Sequence, residues 1–227
     1  MQKIICLLSG GADSATMLYH TDCFSGIDDK IYPLTVNYGQ RHKKEIDCSL
    51  KLVEMLRDKR IKKVQPLKII DMPALLSGSP LVDINLSVPR QDEGKQKQTV
   101  VPFRNTFFIL LAANYAKQLG GDISEIRIGA TFEDLENYPD CRPEYFMALE
   151  RLIHLADTLH GIKINVPFNL MTKKQVYACG VDLSVPYENT WTCYKGGAEP
   201  CHVCDACKER EKGFEDLFMT DPLLEKK

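Results

Sequence analysis

An apolar run at residues 4–8 passes directly into Ser-Gly-Gly-Ala-Asp-Ser and then into a second apolar stretch, residues 15–18, with helical spacing. The first run reads as a buried strand and the residues after Asp13 as a helix, so Gly10 and Gly11 fall at a strand-to-helix turn. The alternation then repeats. A second strand is expected over 31–38, followed by an amphipathic helix with Ile46, Leu50, Val53 and Leu56 on one face, and KKVQPLKII at 62–70 reads as a third strand. Further along, RNTFFILLAANYAKQLG predicts an apolar helix ending near Gly120 and Gly121, SEIRIGAT a fourth strand, residues 142–160 a helix and IKINVPF a fifth strand. TKKQVYACG predicts a short helix with Thr172 as N-cap and Gly180 as its stop.

Strands alternating with helices predict an α/β domain built on a doubly wound parallel sheet. The interval 71–102 breaks the rhythm with Pro73, Pro80, Pro89, Pro102 and the polar run RQDEGKQKQ, and reads as a mobile lid. The expected organisation is an α/β domain over 1–184 and a small C-terminal appendage over 185–227. Ligands of such sheets bind beyond the carboxyl ends of the strands. The polar clusters agree: SGGADS, NYGQRH and ATFEDLENYPDCR follow the first, second and fourth strands, and VPFRN opens the helix after the lid.

Composition narrows the class. With 227 residues, 44% hydrophobic and 26% charged, the chain suits one globular domain with an appendage. It has no apolar run approaching the ~20 residues that span a bilayer and opens on a strand pattern without a signal sequence, so a cytoplasmic protein with no membrane partner is expected. A net charge of −2 offers no general attraction for nucleic acid and favours a small-molecule substrate. Nine cysteines, an odd number, argue against a closed disulfide framework. Cys6, Cys23, Cys48, Cys141 and Cys179 are scattered, whereas Cys193, Cys201, Cys204 and Cys207 are spaced C-x7-C-x2-C-x2-C. Four thiolates complete the tetrahedral shell of structural Zn²⁺ and leave no open position for chemistry. The same run also resembles an iron–sulfur motif, though without the usual C-x3-C-P continuation, and free or redox-active thiols are the third reading.

The glycine turn carries the other candidate chemistry. Unpaired N–H groups and the dipole at a helix N-terminus attract anions, and glycines let the backbone close on a phosphate. Ser9 and Ser14 add hydroxyl donors. Asp13 would repel a phosphate without an intervening cation, which predicts Mg²⁺. The turn matches neither G-x-x-x-x-G-K-[ST] nor G-x-G-x-x-G. The plainer reading is a Ser/Gly turn capping an ordinary helix.

SGGADS resembles the S-G-G-x-D-S loop of the PP-loop pyrophosphatases, which split ATP between its α and β phosphates and adenylate a substrate oxygen. With NYGQRHKKEID, VPFRN, YPDCR, TWTCYKGG and CHVCDAC in order, nearly the whole chain resembles the 7-cyano-7-deazaguanine synthase family of the queuosine and archaeosine precursor pathway. The resemblance implies a ligase using ATP, Mg²⁺ and ammonia. It would turn 7-carboxy-7-deazaguanine into an acyl adenylate, then an amide, then a nitrile, with AMP and pyrophosphate released. It also implies a homodimer. The ATP-binding set becomes Leu8, Ser9, Gly10, Gly11, Ala12, Asp13, Ser14, Ala15, Thr16, Met17 and Leu18.

Beyond the loop, Arg41 and Arg104 are candidates for neutralising phosphate or the substrate carboxylate, with surface ion pairs as the alternative. Lys173 matches a family lysine and is a phosphate candidate, or a solvated lysine. Asp134, Asp140 and Arg142 are candidates for the purine-like edge or the metal, Tyr138 for stacking or core packing, and Gln40 and Asn105 complete the substrate set. Two departures touch substrate choice: Phe103 stands where the family has a small residue, and Gln175 where an acid is common. The competing functions are another PP-loop adenylation, by amidation or tRNA thiolation, and a non-catalytic nucleotide-binding paralogue.

Overall fold

The sheet is built outward from its most apolar strand. In the computed structural model, which describes residues 1–72, 77–91, 96–120, 123–156 and 161–225, β1 (Lys3–Leu7) has Ile4, Ile5 and Cys6 fully buried. A strand this apolar is covered on both faces. It pairs in parallel with β2 (Lys30–Asn37) and β4 (Glu125–Arg127), and the full order is β3-β2-β1-β4-β5, with β3 at Lys68–Asp71 and β5 at Lys163–Asn165. Chain order reverses between β1 and β4, so the crevice for a ligand opens beyond their carboxyl ends.

Alternate β1 residues face opposite helical layers. Ile4 and Cys6 pack with α1 (Ala12–Phe24), Leu52 of α2 (Lys44–Arg60), Val176 and Tyr177 of α6 (Lys173–Asp182), and Phe214 of α7 (Asp205–Glu215). Ile5 and Leu7 pack with Ile109 of α3 (Arg104–Gln118) and Phe146 of α5 (Pro143–Ala156). A single turn, α4 (Asp134–Asn137), follows β4. Residues after 185 therefore join the central core through Tyr187 and Phe214. Arg210 fastens the C-terminal end through two hydrogen bonds to the buried Asp221, at 2.6 and 2.8 Å.

Several local expectations shift. The third strand is shorter than 62–70: Val64 forms an isolated bridge to Ile31, and the regular ladder starts at Lys68, beyond Pro66, which lacks an N–H for it. The fourth and fifth strands are likewise reduced to three residues each. α6 does not stop at Gly180. It continues to Asp182, and a Cβ at Gly180 would lie 1.8 Å from Tyr187 Oη, so this glycine makes room for a neighbour inside a helix.

The expected helix end at 157–160 lies outside the described residues, as do 73–76 and 92–95 of the expected lid. The described parts of that interval are anchored. Leu81 and Val101 pack with Val36 and Tyr38, and Gln91 donates its N–H to Val203 O at 3.0 Å. No helix among the described residues is long and apolar enough to cross a membrane.

Candidate functional site

At the β1/β4 crevice lies a cavity of about 200 Å³ whose wall includes the glycine turn, the N-termini of α1, α3 and α6, and Glu209 of α7. The turn is locked by its own serines. Ser14 Oγ accepts the Ser9 N–H at 3.2 Å and donates to Gly11 O at 3.1 Å, while Ser9 Oγ accepts the Gly11 N–H at 3.1 Å. Gly10 adopts φ +91°, and a Cβ there would lie 2.0 Å from Glu45 O, so α2 packs directly beneath the turn. No side chain caps α1. Its first-turn donors are thereby suited to an external anion.

Leu8, Ser9, Gly11, Ala12, Asp13 and Ser14 line the cavity. Ala15, Thr16, Met17 and Leu18, expected in the nucleotide set, lie instead in the core: all four are fully buried, and Thr16 Oγ1 is 2.7 Å from Tyr187 Oη. The helical turn that aims Asp13 outward points these residues inward.

Asp13 and Lys173 meet at the centre. Lys173 Nζ lies 3.0 Å from Asp13 Oδ2 and 3.3 Å from Glu209 Oε2, and the Lys173 N–H bonds Glu133 Oε1 at 2.9 Å. Burial raises the Asp13 pKa, with Lys173 opposing, and burial likewise raises that of Glu209. Burial also works against charge on Lys173, but Asp13, Asp134 and Glu209 outweigh it and hold its pKa well above the usual value. Asp13 Oδ1 is buried without a hydrogen-bond partner. An orphaned carboxylate oxygen, with more acids than bases around it, fits a hard divalent cation such as Mg²⁺.

Across the cavity, Arg104 and Asn105 open α3. Asp140 does not line the cavity. Its Oδ2 accepts the Asn105 N–H at 3.1 Å, so it serves the N-terminus of α3. Gln40 lines the cavity and ties its own turn, its Oε1 accepting the Tyr38 N–H at 3.0 Å. Arg41 is turned away: Nη2 donates to Asp83 O at 2.9 Å and Leu86 O at 2.7 Å, so it holds the 77–91 segment. Arg142 is exposed and bonds Leu135 O. Tyr138 stands behind the wall, its hydroxyl 3.0 Å from Thr99 Oγ1 and 3.2 Å from Tyr194 Oη. Asp134 lines the cavity, with Oδ2 accepting from the Thr131 N–H and hydroxyl.

Both departures from the family pattern sit outside the cavity. Phe103 is 66% exposed at φ 58°, a left-handed N-cap position where a residue without a bulky side chain is less strained. Gln175 completes a capping box with Thr172, a task that an acid at the same position would also perform.

His42, Glu45, Tyr194 and Glu209, none of them expected at the site from the sequence, also line the cavity. His42 and Glu45 do lie in the quoted NYGQRHKKEID segment, and Glu209 follows Cys207 by two residues, but nothing local marks them.

The four clustered cysteines converge. Cys193, Cys201, Cys204 and Cys207 place their sulfurs within 4.8 Å of one another, largely buried, and Trp191 Nε1 donates to Cys193 O at 3.0 Å beside them. Four thiolates at such spacing can hold one metal ion.

The profile of a family described as "Queuosine biosynthesis protein QueC" matches residues 3–218. A 7-cyano-7-deazaguanine synthase of Picrophilus torridus is 40% identical over 221 residues, covering 94% of this chain and 87% of that protein. Its counterpart in Thermoplasma volcanium is 41% identical, covering 98% and 90%, and that of Clostridium kluyveri 37%, covering 98% and 97%. With the phosphate turn, the acidic–lysine centre and the four-cysteine cluster already in place, this likeness from end to end means that the chain belongs to the QueC family of queuosine biosynthesis proteins.

Proposed function

We propose that this chain makes 7-cyano-7-deazaguanine from 7-carboxy-7-deazaguanine and ammonia, with ATP cleaved to AMP and pyrophosphate. The observation that carries the reading is a single cavity that joins an uncapped helix N-terminus and the Asp13–Lys173 pair to the guanidinium of Arg104. The α1 N–H groups and Lys173 hold the departing pyrophosphate, and charge stabilisation at this point is the main service the protein gives to adenylation. Arg104 and Asn105 orient the substrate carboxylate so that its oxygen meets the α-phosphate. Ammonia displaces AMP to give the amide, whose oxygen is adenylated in a second round before the nitrile forms.

Mg²⁺, held by Asp13 and Asp134, would neutralise phosphate charge when bound. Zinc is the metal we assign to the four cysteines. Zn–S bonds of about 2.3 Å bring thiolates to roughly 4 Å from one another, which the compact sulfur cage supports, whereas a multi-iron cluster needs a wider one. We read residues 1–184 as the nucleotide-binding body, 71–102 as its lid and 185–227 as the metal-bearing segment, in a chain that works as a homodimer.

Incubation with Mg-ATP, ammonium and the carboxylic acid, followed by mass analysis, tests the reading. Nitrile with AMP is expected. Amide as the final product would reassign the chain to amidation, and absence of AMP would remove catalysis altogether.

A further inference from the structure

One buried group of the cavity wall is left without a task once phosphate, metal and carboxylate are provided for. His42 is 3% exposed and lines the cavity, and its Nδ1 has no hydrogen-bond partner. The other ring nitrogen, Nε2, lies 3.3 Å from Glu45 Oε2. Glu45 in turn borders the phosphate turn, because a Cβ on Gly11 would lie 3.8 Å from Glu45 Oε1. The imidazole is 5.9 Å, centroid to centroid, from the ring of Tyr194, which also lines the cavity.

A buried unpaired polar group costs about 1–3 kcal/mol; among the described residues His20 Nδ1 shares this condition, but only His42 of the two lines the cavity. Here one nitrogen lies beside a carboxylate and the other, buried in the cavity wall, has no partner. The carboxylate favours the tautomer with its proton on Nε2, which leaves the lone pair on Nδ1. An oriented imidazole with a free lone pair at a reaction cavity is a positioned proton acceptor.

Given the proposed function, on which this step rests, the two rounds of chemistry differ in their demand for a base. When ammonia displaces AMP from the acyl adenylate, the nitrogen must shed one proton, which the departing AMP phosphate can accept. Dehydration is more demanding. After the amide oxygen is adenylated, the nitrogen carries two protons and must lose both as the carbon–nitrogen triple bond forms.

We infer that His42 Nδ1 accepts the first of these protons and that Glu45 is the residue positioning it. The carbon–oxygen bond then breaks, its electron pair leaves on the oxygen of AMP, and the second proton passes from nitrogen to the AMP phosphate. No oxidant or reductant is involved.

H42Q tests the inference, because glutamine can retain a contact to Glu45 but has no basic nitrogen. The variant and the wild type are each given the carboxylic acid with ammonium, and separately the amide, both with Mg-ATP. The expected result is a fall of ~10²–10⁴-fold in nitrile formed from the amide, with a much smaller fall in amide formed from the acid. Equal losses in the two rounds, or undiminished nitrile formation, would overturn the role. Should H42Q fail to fold, E45Q is decisive: nitrile formation from amide is expected to slow at least ~10-fold more than amide formation from the acid, and equal slowing of the two rounds or an unaltered rate would overturn the assignment. A wild type that makes no nitrile at all would instead remove the proposed function, and this step with it.

Discussion

Lys173 Nζ lies 3.0 Å from Asp13 Oδ2, although 160 residues separate the two in the chain. The contact exists because α6 packs along α1, bringing the N-termini of both helices to the same end of the sheet. It places one buried ammonium among Asp13, Asp134 and Glu209.

Lys173→Met removes the only charge among these groups that balances the three acids. Loss of one partner from a buried pair typically costs about 3–5 kcal/mol, and loss of a charge that stabilises the departing group costs ~10²–10³-fold in rate. Urea unfolding and AMP release at saturating Mg-ATP check both outcomes.

Arg104→Lys keeps the charge but loses the fork that grips a carboxylate. A charged hydrogen bond is worth about 1.5–3 kcal/mol, so the KM for the carboxylic acid should rise between about tenfold and ~10²-fold, with the KM for ATP nearly unchanged. Equal effects on both would place Arg104 at the phosphates.

Gly180→Ala forces a methyl to within 1.8 Å of Tyr187 Oη and 2.9 Å of Thr16 Oγ1. Overpacking of this kind costs about 1–3 kcal/mol or more. Tyr187→Phe, which removes the hydroxyl, should recover part of the loss, and a double-mutant cycle on unfolding free energies reads the coupling.

His20 supplies a pH dependence. Its ring packs on Phe24 and Phe168, at centroid distances of 4.5 and 5.4 Å, and burial, aided by Arg127, holds its pKa below the usual 6.5. The unfolded chain therefore takes up this proton at a higher pH than the native one. Stability from His20 is complete above pH 6.5 and is lost as pH falls from there through the lowered native pKa. Urea midpoints at about pH 7.5 and about pH 5.5 should differ less in His20→Gln than in the wild type.

Metal removal should be visible through one residue. Trp191 is the sole tryptophan, is 1% exposed and packs against the cysteine cluster. A chelator strong enough to strip the site, or Cys204→Ser, is expected to lower stability and shift Trp191 emission to the red. Elemental analysis should find zinc; iron with visible absorbance would overturn that assignment.

Chain-local physics determined much of this protein from the sequence. The strand-to-helix turn at Gly10 and Gly11, the parallel α/β alternation and the C-x7-C-x2-C-x2-C spacing all follow from periodicity, backbone freedom and the reach of neighbouring thiols. The tertiary structure alone decided which polar side chains share a cavity. Arg41 and Arg104 look alike in sequence, yet one holds a loop and the other faces the site. Gly180 reads as a stop and proves to be a space for Tyr187, and Glu209 reaches Lys173 only because α7 packs on α6. Periodicity tells which face of an element is apolar; it carries no information on what a polar side chain meets across the fold, which depends on how the helices dock.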